Sequence, residues 1–272
     1  MPATSPQVPT LPLNSGYRIP ALGVGTYDMG HDKTQALVET ALELGFRLFD
    51  TASYYGNEAQ VGAALKAGGV PREEVFVTTK AWTTELGHDA ALAAFDRSCA
   101  RLGLDYVDLY LIHWPDADPA VNLATWQALI ELREAGRVRS IGVSNFLEAD
   151  LKGLVDATGV VPAVNQISLH PAYQRRDLVA VNRALGIVTE AWSPFGRGAD
   201  LGLPTVVQVA AEVGRTPAQV VERWLIQEGI VVFPKTARPQ RLAENLDVFG
   251  FELTDAQMAA MRAIPETGKV PW

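Results

Sequence analysis

The sequence of 272 residues predicts a (β/α)8 barrel of the TIM type. Short apolar runs rich in β-branched residues recur eight times along the chain, and helical stretches separate them. Such near-continuous apolar strands are typical of a parallel sheet that is covered on both faces. Eight units in a chain of this length fit one closed barrel, so a single domain over residues 1–272 is expected. A doubly wound sheet is the alternative, but it usually opens with a glycine-rich turn.

The individual elements follow from local patterns. Strands are expected at residues 22–25, 48–50, 75–80, 107–113, 140–144, 163–166, 187–192 and 230–233. Helices are expected at residues 33–44, 90–102, 122–135, 147–157 and 217–227. Thr216 and Gln219 form a capping box around Pro217, and Thr254 with Gln257 predicts an extra C-terminal helix in the same way. Residues 11–19 read as a hairpin that plugs the bottom of the barrel.

Composition limits the class of protein. An apolar fraction of 48% excludes a disordered chain, and a net charge of −8 argues against nucleic acid or an anionic membrane as a partner. The single cysteine, Cys99, cannot form an internal disulfide, which favours a reducing compartment. Residues 1–10 contain no apolar run typical of a signal peptide, and no apolar stretch is long enough to span a membrane. We therefore expect a cytoplasmic protein, a monomer, that acts on a small molecule.

Polar side chains follow the predicted strands at the mouth of the barrel, where barrel enzymes carry their active sites. Asp50, Lys80 and His113 end three successive strands. The later strands end in Ser144-Asn145, Asn165-Gln166, Trp192-Ser193 and Lys235-Thr236. Polar residues also end strands for purely structural reasons, but that explanation does not favour an aspartate, a lysine and a histidine in succession. The four histidines of the chain lack metal-ligand spacing, so no metal site is expected.

A tyrosine pair follows the second strand. Tyr54 and Tyr55 precede a Gly56-Asn57 turn that can fold one phenol over the mouth. A lysine beside that phenol would lower its pKa toward neutrality, with Asp50 as the counter-charge of the lysine. The set then suits proton donation to a carbonyl oxygen, which His113 would orient. By spacing alone, either tyrosine could be the donor.

Positive charge collects after the last strand. Lys235, Arg238 and Arg241 lie within seven residues of one another in an acidic protein. Loops after the seventh and eighth strands are the usual phosphate site of such barrels. An exposed basic helix face is the alternative explanation. The chain has no G-x-G-x-x-G motif, so a Rossmann dinucleotide site is not indicated.

Three long motifs, in order, resemble those of the aldo-keto reductase family. Residues 45–62 read GFRLFDTASYYGNEAQVG, residues 102–115 read LGLDYVDLYLIHWP, and residues 233–245 begin FPKT and end RLAEN. Residues 163–174, AVNQISLHPAYQ, are most similar to bacterial 2,5-diketo-D-gluconic acid reductases. The resemblance implies NADPH-dependent reduction of aldehydes or ketones by a tetrad of Asp50, Tyr55, Lys80 and His113, with Tyr55 as the acid.

The resemblance also implies how NADPH is held. Lys235, Thr236 and Arg241 would contact the 2′-phosphate, with Arg238 beside them, and Glu244 and Asn245 would contact the adenine. The remaining set is Ser144, Asn145 and Gln166 at the carboxamide, Trp192 stacked on the nicotinamide, Ser193, Phe195 and Arg197 over the pyrophosphate, and Gly25 and Thr26 at the end of the first strand. Trp192 stands where the family more often has tyrosine, and a barrel-core aromatic is its alternative role.

Three aromatic residues, Tyr27, Trp82 and Trp114, follow strand ends and are expected to line an apolar substrate pocket. The chain stops at Trp272, sooner than many relatives, which predicts an open pocket unless Trp272 folds back over it. Two other functions stay open: a barrel lyase or aldolase that uses Lys80 as a Schiff base, and a non-enzymatic NADPH-binding role. The charge that Asp50 would keep on Lys80 argues against the first.

Overall fold

The computed structural model describes residues 8–236 and 238–267. Its strands are β1 Thr10–Pro12, β2 Arg18–Pro20, β3 Val24–Gly25, β4 Leu48–Asp50, β5 Phe76–Ala81, β6 Val107–Ile112, β7 Val138–Ser144, β8 Val164–Ser168, β9 Val188–Trp192 and β10 Val231–Val232. Its helices are α1 His31–Leu44, α2 Glu58–Ala67, α3 His88–Leu102, α4 Pro119–Glu134, α5 Glu148–Thr158, α6 Arg176–Ala184, α7 Pro204–Val213, α8 Pro217–Gln227, α9 Pro239–Leu246 and α10 Asp255–Arg262.

The eight strands β3 to β10 form one parallel sheet in sequential order. A parallel bridge between Leu22 and Val232 joins the first and last strands. The amide of Gly23 donates to the Val232 carbonyl at 2.8 Å across this seam. The predicted (β/α)8 barrel is therefore confirmed.

The predicted hairpin is also confirmed, and it lies at the bottom of the barrel. β1 and β2 pair antiparallel, with Leu11 opposite Ile19. Ile19 is fully buried and packs with Leu48 and Leu109 inside the barrel. The Ser15 hydroxyl lies 2.7 Å from that of Ser140, near the start of β7, which fixes the hairpin at this end.

Local capping explains why some helices were predictable. Thr216 accepts a hydrogen bond from the Gln219 amide, so α8 begins at the predicted proline. Thr254 caps α10 in the same way, and the predicted C-terminal helix is confirmed. The sequence patterns did not single out α7, which is inserted between β9 and α8 after a 3₁₀ segment, Gly196–Gly202.

Several predicted strand bounds are wrong by one or two residues, and β8 is the case that bears on the mouth of the barrel. β8 continues to Ser168 instead of ending at residue 166. Since successive side chains of a strand point to opposite faces, Asn165 points away from the barrel interior. Its amide donates to Asn182 on α6 at 3.2 Å, so only Gln166 of that pair faces the mouth. No helix within the described residues is long and apolar enough to cross a membrane.

Candidate active site

Three predicted site residues converge because they end neighbouring parallel strands. Asp50 ends β4, Lys80 lies near the end of β5, and His113 follows β6 directly. Lys80 Nζ donates to Asp50 Oδ1 at 2.6 Å and to the Thr51 carbonyl at 2.9 Å. Both charged side chains are buried, so this ion pair is held inside the protein rather than in solvent.

The loop after β4 decides between the two tyrosines. It forms a 3₁₀ turn over Ser53–Tyr55, and Gly56 then adopts the left-handed conformation with φ 67°. The buried Asn57 ties the loop down, because its amide donates to the Thr26 carbonyl and accepts from the Thr51 hydroxyl. This fold places the Tyr55 hydroxyl 3.4 Å from Lys80 Nζ.

Tyr54 lies elsewhere, although it is the neighbour of Tyr55 in sequence. Its ring is half exposed and stacks on Trp82, with centroids 3.8 Å apart. Its ring is also farther from His113, at 6.5 Å between centroids against 5.6 Å for Tyr55. Of the two, only Tyr55 has its hydroxyl against the lysine.

The predicted direction of the Tyr55 pKa is wrong. Burial raises the pKa of Tyr55 to about 12, and the nearby Lys80 offsets only part of that effect. Burial alone would lower the pKa of Lys80, but the Asp50 carboxylate and the Tyr55 hydroxyl raise it above its usual value. The site therefore holds a charged lysine beside a protonated phenol at neutral pH.

His113 is a neutral imidazole in this setting. Burial, together with the positive charge of Lys80, holds its pKa well below the usual value. Its ring packs edge-on against Tyr55 and against Trp82, whose centroid is 4.9 Å away. Nδ1 is buried without a hydrogen-bond partner among the described residues. The ring is thus oriented by aromatic packing.

A cavity of about 210 Å³ opens above these residues. Its walls include the three aromatics that were predicted to line a substrate pocket, Tyr27, Trp82 and Trp114. Tyr27 also packs edge-on against Tyr55, with centroids 5.1 Å apart. The lower wall contains Asp50, Tyr55 and His113, so the cavity brings aromatic surface and titratable groups together.

The residues predicted to hold a nicotinamide carboxamide form a connected network. Ser144 Oγ donates to the Gln166 carbonyl at 2.9 Å, and Asn145 Nδ2 donates to Ser144 Oγ at 2.9 Å. Trp192 Nε1 donates to Asn145 Oδ1 at 2.9 Å. All four residues border the cavity.

The other predicted cofactor residues divide into two groups. Gly25, Ser193, Arg197 and Lys235 border the cavity, and Lys235 Nζ lies 3.6 Å from Asp28 Oδ2. The rest lie outside its walls: Thr26, Phe195, Thr236, Arg238, Arg241, Glu244 and Asn245. Thr26 is fully buried and donates to the Asp50 carbonyl at 3.0 Å. Arg238 and Arg241 are exposed near the start of α9. Trp272 lies outside the described residues.

One residue near the site was not predicted. Glu190, in the middle of β9, is buried inside the barrel and accepts a hydrogen bond from Gln166 Nε2 at 2.8 Å. The same nitrogen donates to Asp50 Oδ2 at 2.9 Å. An ionisable residue in the middle of a strand that is expected to be buried, Val188–Trp192, was the available signal.

Over most of its length, the chain is similar to proteins of one known family. The model of the Aldo/keto reductase family matches residues 21–266. An aldo-keto reductase of Mycolicibacterium smegmatis is 48% identical over 261 residues, covering 96% of this chain and 94% of that protein. Morphine 6-dehydrogenase of Pseudomonas putida is 47% identical over 266 residues, covering 93% and 90%. The crystal structure of a Bombyx mori aldo-keto reductase in complex with NADP is 36% identical with a TM-score of 0.90, covering 97% of this chain and 94% of that one.

Proposed function

Because the chain belongs to the Aldo/keto reductase family, it is an NADP-dependent oxidoreductase, and we propose that it reduces small aldehydes or ketones to alcohols with Tyr55 as the proton donor. The observation that carries this proposal is the position of Lys80. Its ammonium contacts both Asp50 Oδ1, at 2.6 Å, and the Tyr55 hydroxyl, at 3.4 Å, beneath the cavity.

The proton chemistry follows from the charges of the site. With a pKa of about 12, Tyr55 keeps its proton at neutral pH until a more basic oxygen develops beside it. The phenolate that remains after donation is stabilised by the adjacent Lys80 ammonium. As the neutral imidazole lining the cavity, His113 is suited to hydrogen-bond the substrate oxygen and orient it.

The residues present fit NADPH. Gln166 donates its two amide hydrogens to the carboxyl groups of Asp50 and Glu190, so its oxygen Oε1 is left to accept from a carboxamide in the cavity. Ser144, Asn145 and Trp192 would hold the nicotinamide beside it, while Lys235 and Arg241 supply positive charge for a phosphate. When bound, NADPH supplies the hydride for the reduction.

The walls of the cavity support an apolar substrate. Tyr27, Trp82 and Trp114 offer ring faces, which favour a carbonyl attached to an aromatic or alicyclic group. The similarity of residues 163–174 to 2,5-diketo-D-gluconic acid reductases instead predicts a polar keto acid. We propose the apolar class, since the cationic side chains at the cavity, Arg197 and Lys235, lie where the cofactor is expected.

A Schiff-base mechanism is the alternative chemistry. An imine requires a neutral amine, whereas Asp50 keeps Lys80 charged. We therefore expect no adduct on Lys80 after incubation with a ketone and borohydride, measured by intact mass and peptide mapping. A mass gain on the peptide that contains Lys80 would contradict the reductase mechanism.

The direct test mixes the protein with NADPH and a carbonyl panel and follows the absorbance of the reduced nicotinamide. An aromatic aldehyde, an alicyclic ketone and 2,5-diketo-D-gluconate form the panel. Faster turnover of the keto acid would contradict the apolar substrate class, and absence of turnover with tight NADPH binding would favour a non-enzymatic role. We also propose that the enzyme acts as a cytoplasmic monomer, and sedimentation measurements test its oligomeric state.

A further inference from the structure

We propose that Glu190 is a positioning residue for the cofactor: it fixes which atom of Gln166 faces the cavity, and its ionisation favours the oxidised nicotinamide over the reduced one. The inference rests on the proposed function, because it concerns the residues that would hold NADPH. It assigns a role to a buried carboxyl that the proton chemistry of Tyr55 and Lys80 does not use.

The geometry around Gln166 determines the orientation of its amide. Gln166 and Glu190 are paired residues of neighbouring strands, so their side chains stand side by side on one face. Gln166 Nε2 lies 2.9 Å from Asp50 Oδ2 and 2.8 Å from Glu190 Oε2. Both amide hydrogens are therefore used, and Oε1 is the remaining atom that can accept from a ligand. Removing either carboxyl frees one hydrogen and weakens that preference.

The charges inside the mouth do not balance. Asp50 on β4 and Glu190 on β9 both carry carboxyl groups. The positive charge that lowers the pKa of Glu190 comes from Lys80 on β5. The residues paired with Glu190 on the two flanking strands, Gln166 and Val231, are neutral. Lys80 bonds to Asp50, at 2.6 Å, so Glu190 has no cation of its own among the residues that the structure describes.

Glu190 consequently loses its proton close to physiological pH. Burial, reinforced by the negative charge of Asp50, raises the pKa of Glu190 to about 8. Above this pH, a negative charge appears one hydrogen bond from the residue expected to hold the carboxamide. A negative charge there attracts the positive oxidised ring and has no such effect on the neutral reduced ring.

The experiment measures the dissociation constants of NADPH and NADP+ by fluorescence quenching between about pH 6 and about pH 10. The ratio of the two constants cancels every group that contacts the part common to both cofactors, including the 2′-phosphate. We expect the affinity for NADP+ relative to NADPH to increase roughly three- to tenfold as the pH rises through the pKa of Glu190.

Two variants separate charge from orientation. Glu190→Gln keeps an acceptor for Gln166 but cannot ionise, so its ratio should be independent of pH, with NADPH affinity at neutral pH within about twofold of wild type. Glu190→Leu removes the acceptor as well, and its NADPH dissociation constant should rise roughly three- to tenfold. Thr189→Val is the matched control: its side chain points out of the barrel toward Asn182, so neither quantity should change.

Each outcome decides the proposal. The ionisation role would be overturned if the ratio of the two dissociation constants did not change with pH in the wild type, a result that needs no variant. It would also be overturned if the pH dependence persisted in Glu190→Gln. Wild-type NADPH affinity in a folded Glu190→Leu, with folding checked by melting temperature, would overturn the positioning role. A wild-type protein that binds neither cofactor would instead overturn the proposed function, and the Glu190 inference with it.

Discussion

The two ends of the barrel bury carboxylates in opposite ways. At the bottom, Asp108 is buried and accepts from Arg72 at 2.7 Å, from Arg139 at 2.8 Å and from the Val77 amide at 2.9 Å. Two arginines therefore form ion pairs with one aspartate at that end. At the mouth, the ammonium of Lys80 bonds to Asp50, and Glu190 forms no ion pair with any described residue. The bottom is arranged for stability, and the mouth keeps charges whose protonation can change.

The backbone shows the same contrast. Five non-glycine residues within the described chain have positive φ, and all lie on loops that follow strands: Asp28, Asn145, Arg175, Ser193 and Arg197. Several turns that lead from a helix to the next strand instead use glycine, as at Gly45, Gly103 and Gly159. Positive φ costs a non-glycine residue of the order of 1 kcal/mol, so this strain is concentrated at the mouth.

The largest expected effect separates activity from stability at the mouth. Tyr55→Phe should lower kcat by roughly 10²–10⁴, the usual contribution of a positioned general acid, while the melting temperature and NADPH affinity change little. Tyr54→Phe is the matched control and should keep most activity, because Tyr54 stacks on Trp82 away from Lys80. Steady-state measurements of kcat for the two variants test the assignment, and an inactive Tyr54→Phe would contradict Tyr55 as the proton donor.

Replacing Lys235 and Arg241 together by neutral residues should raise the NADPH dissociation constant by about 10²-fold and the NADH constant little. The reason is that both cations are expected at the 2′-phosphate, which NADH lacks. Isothermal titration with the two cofactors measures the difference. An equal loss of affinity for NADPH and NADH would indicate that the two cations contact the pyrophosphate or stabilise α9 in general.

At the bottom of the barrel, the comparison predicts the reverse of the Tyr55 result. Asp108→Asn leaves two arginines without their anion and should lower the free energy of unfolding by about 2–3 kcal/mol, with kcat unchanged in the folded fraction. Asp105→Asn, at an exposed position nearby, is the control and should be neutral. Denaturant unfolding and initial rates are the measurements. A large loss of kcat in Asp108→Asn would break the division of roles between the two ends.

The smallest effect concerns another buried carboxyl, on a helix outside the sheet. Glu222 on α8 is fully buried, and neither carboxyl oxygen has a hydrogen-bond partner among the described residues. Burial, with the nearby Glu244, holds its pKa well above the usual value. Glu222→Leu should raise the free energy of unfolding by about 1–2 kcal/mol, since it removes an unsatisfied buried acid.

The gain in the free energy of unfolding from Glu222→Leu should increase with pH. The folded protein keeps a proton on Glu222 that the unfolded chain releases above the ordinary carboxyl pKa, so the wild type loses stability as the pH rises from there toward the raised folded-state pKa. Urea unfolding of both proteins at two pH values measures this. Glu148→Leu on the exposed face of α5 is the control, and a pH-independent difference for Glu222→Leu would contradict the burial of an acid.

Features encoded by short stretches were predictable from the sequence. The capping box at Thr216 fixes the start of α8 through contacts within four residues. The glycine and asparagine after Tyr55 predict the turn that shapes the site. The barrel itself follows from eight apolar strands that must each be covered by a helix. Asp50, Lys80 and His113 then meet because parallel strands end at the same face.

Other features depend on residues far apart in the chain, and only the tertiary structure decided them. β8 extends past its predicted end because β9 pairs with it as far as Ser168. The same pairing puts Gln166 beside Glu190 inside the barrel, so the neighbouring Asn165 faces outward. Tyr55 rather than Tyr54 meets Lys80 because Asn57 is anchored to Thr26, 31 residues away. The pKa of Tyr55 rises instead of falling because burial outweighs the lysine, and burial is a property of the folded packing. Glu190 meets Asp50 only through Gln166, which lies 116 residues from Asp50 in sequence, and no local pattern carries such a contact.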